Sequence, residues 1–197
     1  MKYPRPERIE MKNDYFFQLL FVILNIVFIH PITAQENESI MTEPQTVDSV
    51  DLNKYIGTWY EIAKIPNSFQ DHCTGNTTAT YHFREDGRLD VINRCLDEDG
   101  EMDEAKGIAR VVDPTSNAKL EVSFVRIFGI SFFWGDYWII GLEKNYQYAL
   151  VGNPSRKYGW ILCRDKQMSA EDLEQAYTIL RQQGYNPKDF EMTNQSL

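Results

Sequence analysis

The stretch DLNKYIGTWY, residues 51–60, begins a series of short apolar runs that decides the fold. From Gly57 onward, each run is followed by residues that form turns, such as Asp86-Gly87 and Asp113-Pro114. The runs are Trp59–Ile65, Thr77–Phe83, Leu89–Cys95, Gly107–Val112, Lys119–Val125, Tyr137–Leu142, Tyr146–Val151 and Gly159–Arg164. Evenly spaced strands with short connections pair antiparallel, so eight of them predict a closed up-and-down barrel or a β-sandwich.

A single helix is predicted after the eighth strand. Ser169 is a suitable N-cap, with Asp172 three residues later, and Gly184 can end the helix. Apolar residues recur with helical spacing on one face only: Leu173, Ala176, Tyr177 and Leu180. A helix with one apolar face after a β domain is expected to pack on the outside of the sheet.

Composition narrows the class of protein. The chain has 197 residues, of which 43% are apolar, enough for one well-buried domain and too many for a disordered chain. Its formal net charge of −9 argues against a nucleic-acid-binding protein, which would need a basic surface. With 13% aromatic residues and only three histidines, the composition indicates a binding site lined by apolar side chains and not a metal site.

The N-terminal part carries an export signature. The apolar run 16–29 follows four basic residues and precedes small residues that end at Ala34. This order predicts an export signal over residues 1–34, with Met11 as an alternative start and a retained membrane anchor as the alternative interpretation. Residues 35–50 are predicted to be a polar tether. The protein is then periplasmic or outer-membrane-associated in a bacterium, or secreted in a eukaryote, and it has no cysteine near the cleavage point for lipid attachment.

Two motifs carry a family resemblance. Residues 51–60 and GWILCR at 159–164 resemble the lipocalins, specifically the bacterial lipocalin and apolipoprotein D branch. Three further matches lie between them, at Asn67–Gln70, Val91–Asn93 and Tyr148–Val151, whereas the segment Glu143–Tyr146 departs from the family pattern. The resemblance implies an all-β protein: an eight-stranded antiparallel up-and-down barrel over residues 51–193, with one C-terminal α-helix packed outside.

The resemblance also implies roles for particular residues. The signature residues Gly57 and Trp59 would close the narrow end of the barrel, with Arg164 across the Trp59 ring in a cation–π contact. The family binds small apolar molecules, so the expected function is non-catalytic binding, storage or transport of a fatty acid or lysophospholipid, with membrane maintenance as its purpose. Two other functions stay open: an interaction module, and a lipid-modifying enzyme on the same barrel.

The cavity lining follows from the same resemblance. If Trp160 and Leu162 point inward, alternation along the strands places Tyr81, Val91 and Asn93 on the same inner wall. Further candidates, for which the register is not fixed, are Val122, Phe124, Tyr137 and Ile139. Such a wall is typical of small-molecule pockets. The alternative is a filled core in which these residues only pack.

One aromatic segment, FGISFFWGDYW at 128–138, lies mostly outside the eight predicted strands. It is predicted to be a loop between the fifth and sixth strands. Exposed aromatic loops often mark contact sites. Its part Phe128–Trp134 is expected to guard the mouth, touch a membrane or pair two subunits as a homodimer. The alternative is that it folds inward over the rim.

The sequence contains few other residues that suggest a bond, a metal site or a catalytic site. Folding the second and third strands about Asp86-Gly87 brings Cys73 and Cys95 toward one end, which favours a disulfide, and Cys163 is expected to be a packed free thiol. The acidic turn 97–104 does not fit the spacing of a calcium loop. We found no catalytic motif, and we expect no cofactor, no bound metal and no nucleic-acid partner.

Overall fold

A computed structural model describes residues 43–127 and 130–196. The strands are β1 (Gly57–Lys64), β2 (Gly75–Phe83), β3 (Leu89–Leu96), β4 (Met102–Val111), β5 (Lys119–Ser123), β6 (Val125–Ile127), β7 (Ile130–Phe132), β8 (Gly135–Leu142), β9 (Tyr148–Gly152), β10 (Gly159–Cys163) and β11 (Glu191–Met192). The helices are α1 (Leu52–Tyr55) and α2 (Ala170–Gln182), followed by a 3₁₀ turn, Pro187–Asp189. The predicted export signal (1–34), the alternative start at Met11 and tether residues 35–42 lie outside the described residues.

Eight antiparallel strands form one closed sheet. They follow the order β1-β2-β3-β4-β5-β8-β9-β10, and β10 pairs back onto β1, with Tyr60 opposite Cys163. β11 adds a short ninth strand on β1. The prediction of a closed eight-stranded barrel with one C-terminal helix is confirmed.

The barrel has two different ends. The closed end carries α1, Arg164 and the short turns after β2, β4 and β8. The opposite end, here called the mouth, carries the loop 65–74 and the connections after β3, β5 and β9. A bulge between Glu61 and Ala63 lets β1 bend as it rises toward the mouth.

Helix α2 covers one outer face of the barrel. The Ser169 hydroxyl accepts a hydrogen bond from the Asp172 backbone N–H at 3.0 Å, and Gly184 takes a left-handed conformation with φ +78° just after the helix. Ala176 and Leu180 are completely buried against an outer apolar cluster that includes Leu150, Ile161 and Cys163 of the barrel. The predicted helix, with its cap and its apolar face, is confirmed.

The aromatic segment forms a hairpin, so the prediction of a simple loop was wrong. β6 and β7 pair antiparallel, with Val125 opposite Phe132, and β8 already begins at Gly135. The buried Ser123 hydroxyl donates to the Phe132 backbone oxygen, lies 3.3 Å from the Val125 backbone oxygen, and so ties the base of the hairpin together. Phe128 lies outside the described residues.

Chain segments at both ends of the domain join the barrel. Residues 43–50 belong to the predicted tether, yet the Val47 N–H donates to the Ile139 oxygen at 3.0 Å and the Val50 N–H to the Ser116 oxygen at 2.7 Å. At the other end, residues 193–195 enter the gap where β1 and β2 diverge. Within the described ranges, no helix is both long enough and apolar enough to cross a membrane.

Candidate ligand-binding barrel interior

Arg164 and Trp59 seal the closed end. Trp59 is completely buried and donates from its indole nitrogen to the Tyr55 carbonyl at 2.8 Å. The Arg164 guanidinium carbon lies 3.7 Å from the centre of the Trp59 ring. Its terminal nitrogens donate to the carbonyls of Lys54, Tyr55, Ile56 and Thr58 at 2.6–3.1 Å. Arg164 therefore binds the last carbonyls of α1 as well as the tryptophan ring.

The glycine of the signature is required by its backbone. Gly57 connects α1 to β1 with φ +96°, a conformation that side chains other than glycine rarely adopt. A Cβ atom there would also lie 3.4 Å from an Arg164 nitrogen. Gly57 thus allows α1 to fold across the barrel end beneath the arginine.

Three tyrosine hydroxyls meet inside the barrel. The Tyr55 and Tyr137 hydroxyl oxygens are 2.8 Å apart, and those of Tyr81 and Tyr137 are 2.7 Å apart. These residues, here called the tyrosine cluster, are 1%, 3% and 9% exposed for Tyr55, Tyr81 and Tyr137. Burial raises the pKa of Tyr81 to about 12 and raises the pKa values of Tyr55 and Tyr137 well above the usual range. The cluster therefore stays uncharged at neutral pH.

Most residues predicted to line the cavity belong to the inner apolar cluster. Five are buried in it and two pack against it partly buried: Tyr81, Val91, Tyr137, Ile139 and Leu162, then Val122 and Trp160. Asn93 lies on the same face of β3 as Val91, opposite the partly buried Ala79. The structure brings these eight residues onto one inner surface, and their role as ligand contacts stays a prediction.

Phe124 takes a different position from the other predicted residues. It lies just after β5 ends at Ser123, and it is 40% exposed. A Cβ atom on Gly107, which shares its face of β4 with the buried Ala109, would lie 2.8 Å from the Phe124 ring. The ring therefore covers the inner side of Gly107 near the mouth.

A polar network supports one side of the mouth. The Trp160 indole donates to Gln70 Oε1 at 3.1 Å, and Gln70 Nε2 donates to Glu61 Oε2 at 2.8 Å. Glu61 is buried and also accepts from the Thr193 hydroxyl at 2.6 Å, while Lys64 Nζ lies 3.4 Å from Glu61 Oε1. This network fixes the Trp160 ring on the inner wall near the mouth.

Aromatic rings continue outward from Trp160. Tyr158 stacks on Trp160 with ring centres 6.3 Å apart, and Phe69 lies 5.1 Å from Tyr158. Phe69 is 60% exposed, and Phe133 at the β6–β7 hairpin is 85% exposed. Apolar rings on two separate connections thus face outward at the mouth.

Trp134 and Trp138 do not share that exposed position. The Arg110 guanidinium lies 4.1 Å from the centre of the Trp134 ring, and Trp138 is buried in the outer cluster. In the described part of the predicted aromatic segment, Phe132 and Phe133 are exposed, whereas Trp134 and Trp138 pack against other parts of the protein.

The cysteines are arranged as predicted. Cys73 and Cys95 form a disulfide, with Cα atoms 5.6 Å apart, and His72 Nε2 lies 2.9 Å from Asp103 Oδ2 beside it. Cys163 is a buried free thiol in the outer cluster, and burial raises its pKa. A raised pKa keeps this thiol protonated and unreactive.

Two residues of the interior were missed from the sequence. Tyr55 belongs to α1 and not to a strand, so strand alternation could not identify it. Its ring lies 5.0 Å from the Trp59 ring across the non-helical connection at Ile56 and Gly57, so neither helical nor strand spacing links the two residues in the sequence. Glu61 was missed because an acidic residue inside an apolar run reads as exposed.

Comparison with known proteins places the chain in a family. Residues 50–195 match the family model described as a Lipocalin-like domain. The chain is 39% identical over 140 residues to the outer membrane lipoprotein Blc of Citrobacter freundii, covering 71% of this chain and 76% of that protein. It is 34% identical over 165 residues to apolipoprotein D of Macaca fascicularis, covering 78% and 82% of the two chains.

Solved structures agree on the fold. Insecticyanin from the tobacco hornworm Manduca sexta superposes with a TM-score of 0.62 at 21% identity, covering 76% of this chain and 83% of that chain. At that identity the similarity concerns the barrel alone.

Proposed function

This chain belongs to the lipocalin-like family, and on that premise we propose that it binds a lipid or another small apolar molecule inside its barrel. Fatty acids and lysophospholipids are the proposed classes of ligand, and transport or storage for membrane maintenance is the proposed purpose. The role requires no catalytic group.

The observation that supports binding is a gradient of exposure along the inner wall. Inward-facing residues near the closed end, such as Trp59, Leu89 and Leu120, are buried. Residues on the same face nearer the mouth are partly exposed, as Val122 and Trp160 are. A side chain that points inward and still meets solvent indicates an opening in the mouth half of the barrel.

Binding in such a site is driven by desolvation. A chain of sixteen methylenes buried at ~0.8 kcal/mol each gains roughly 13 kcal/mol before the costs of ordering are subtracted. Those costs are about 4–15 kcal/mol, and a micromolar Kd needs only ~8 kcal/mol net. An apolar wall alone can therefore give useful affinity.

Two substitutions of the same kind test this proposal. Val122→Trp fills the inner wall near the mouth, and Val112→Trp adds the same ring at an exposed position by the closed end. We expect the parent and Val112→Trp to bind a monomeric lysophospholipid in calorimetric titration and Val122→Trp to lose binding. A parent that binds no lysophospholipid or fatty acid would refute the proposal, as would equal binding by both variants.

We further propose that the β6–β7 hairpin contacts a lipid surface. Phe133 is 85% exposed at the mouth, Phe132 and Phe124 are 39% and 40% exposed, and Phe69 adds another ring that is 60% exposed. Because the net charge is −9, attraction to an anionic surface cannot drive this contact. The rings themselves would supply the affinity, next to the opening that a lipid must enter.

Vesicle binding tests the contact. Phe133→Ser should reduce co-sedimentation with neutral phosphatidylcholine vesicles, whereas Phe83→Ser, an exposed phenylalanine at the closed end, should not. Analytical ultracentrifugation of the parent and Phe133→Ser separates the alternative. A parent dimer that dissociates in Phe133→Ser while vesicle binding is unchanged would show a homodimer interface instead.

We also propose that the protein is exported. The disulfide Cys73–Cys95 suits an oxidising compartment, and the apolar run 16–29 has the order of a signal. N-terminal sequencing of protein from its own host should find Gln35 first. An intact N-terminus on membrane-bound protein would favour the retained anchor.

A further inference from the structure

The tyrosine cluster has one more donor than it can use. Tyr55, Tyr81 and Tyr137 carry three hydroxyl protons, but only two hydrogen bonds join them. Each hydroxyl donates once, so every arrangement of the two bonds leaves one O–H without an acceptor inside the cluster. These hydroxyls make no other hydrogen bond within the described part of the chain. Leaving a buried donor without a partner is unfavourable, which makes it a strong point of recognition for a ligand.

A second polar group on the same wall also lacks a partner. The Asn93 side-chain oxygen is buried and makes no hydrogen bond within the described part of the chain. Val91 pairs with Tyr81, and Asn93 lies two residues further along β3 toward the mouth. Diagonal neighbours of this kind are about 7–8 Å apart. Asn93 therefore lies between Tyr81 and the entrance.

The surroundings favour an uncharged partner. Among the described residues, Arg164 is the one cation whose charge acts on the three tyrosines. Lys64, opposite Trp160 near the mouth, lies 3.4 Å from the Glu61 carboxylate. Arg164, the cation nearest to Tyr55, already donates to four carbonyls. A carboxylate buried beside the tyrosines would have no positive charge to offset its desolvation.

We propose that the barrel takes an apolar ligand whose leading end carries an uncharged hydrogen-bond acceptor, such as a ketone or ester carbonyl. This acceptor receives the spare proton of the Tyr55–Tyr81–Tyr137 cluster, and the apolar chain behind it passes Asn93, whose unpaired oxygen is itself an acceptor and is not needed for this contact. The inference rests on the proposed function and adds to it the polarity of the ligand's leading end and the direction in which the ligand enters the barrel. A free fatty acid then enters with its methyl end first.

The test compares three probes of equal chain length: dodecane, dodecan-2-one and dodecanoate. Competition with a fluorescent apolar dye should show the ketone binding roughly three- to tenfold more tightly than the alkane, the gain of one net hydrogen bond. Infrared spectra of the ketone labelled with carbon-13 at its carbonyl should show the bound C=O stretch at lower frequency than in liquid alkane.

Variants identify the donor. Replacing all three tyrosines by phenylalanine removes every donor, so the ketone preference and the frequency shift should both disappear. Tyr81→Phe alone leaves two hydroxyls, one bond and again one spare proton, so the preference should persist. Tyr148→Phe, a buried tyrosine of the outer cluster, is the matched control and should behave like the parent.

The outcomes separate the inference from the proposed function. A parent that binds ketone and alkane equally, with an unshifted carbonyl, overturns the inference and leaves apolar binding intact. A parent that binds neither of these nor dodecanoate overturns both. If the triple variant does not fold, the infrared shift in the parent and in Tyr81→Phe still decides the question.

Discussion

Replacing Arg164 by alanine should destabilise the barrel by about 3 kcal/mol. The cation–π contact with Trp59, at 3.7 Å and partly buried, contributes ~1 kcal/mol. The four carbonyls that the guanidinium binds can be partly rehydrated in the variant, so each lost hydrogen bond costs only ~0.5 kcal/mol, near the low end of the usual range. The two contributions together give the expected loss.

Urea unfolding, followed by tryptophan fluorescence, measures the loss. With a slope of about 2 kcal/mol per molar urea, the midpoint should fall by roughly 1.5 M. Arg110→Ala is the matched control, since Arg110 also lies over a tryptophan, Trp134, but is largely exposed. It should cost ~1 kcal/mol or less. An Arg164→Ala protein within 0.5 kcal/mol of the parent would show that the closed end does not depend on this arginine.

Three further predictions concern stability and the cysteines. Trp59→Ala should cost about 3–5 kcal/mol in the same urea assay, because it empties a completely buried site; a loss below 1 kcal/mol would contradict that. The raised pKa of Tyr81, about 12 against 10 when unfolded, gives stability that is present below pH 10 and lost as pH rises toward 12, about 3 kcal/mol in all. Tyr81→Phe should therefore lose less stability than the parent over that window, and equal slopes would be evidence against the burial effect. In denaturant, iodoacetamide should label Cys163 alone until reduction frees two more thiols, whereas three labels before reduction would exclude the disulfide.

The strands were predictable because turn residues separate them. Asp86-Gly87 marks the end of β2 so clearly that the β2–β3 hairpin and the Cys73–Cys95 disulfide follow from it. Helix α2 was equally clear, since its cap and its apolar stripe are both local signals. Sequence patterns that span only a few residues therefore predict most of the architecture.

Features that depend on distant partners were not predictable. The β6–β7 hairpin has no clear signal in the sequence because its strands are three residues each and lie outside the main sheet. Glu61 is buried only because Gln70 and Thr193 reach it from elsewhere in the chain. Tyr55 enters the interior because α1 folds across the barrel end, which alternation along strands cannot show.

The prediction of which candidate residues face the barrel interior had the same limit. Alternation from Trp160 and Leu162 placed Val91 and Asn93 on the inner face correctly. It gave no indication that β5 would end at Ser123, which leaves Phe124 at the mouth and over Gly107. A residue just beyond the end of a strand therefore lies at the rim of the barrel instead of in its wall.

The C-terminal segment that fills the gap between β1 and β2 restricts when the protein can fold. The Thr193 N–H donates to Ile62, the Asn76 N–H to Asn194, and the Gln195 amide to the carbonyls of Glu61 and Thr77. These partners are separated by more than a hundred residues, and so are β1 and β10. A ribosome must therefore release nearly the whole chain before the seam can close. Until then the first strand has no permanent neighbour on one edge, so the barrel cannot close while its C-terminal segment is still being synthesised.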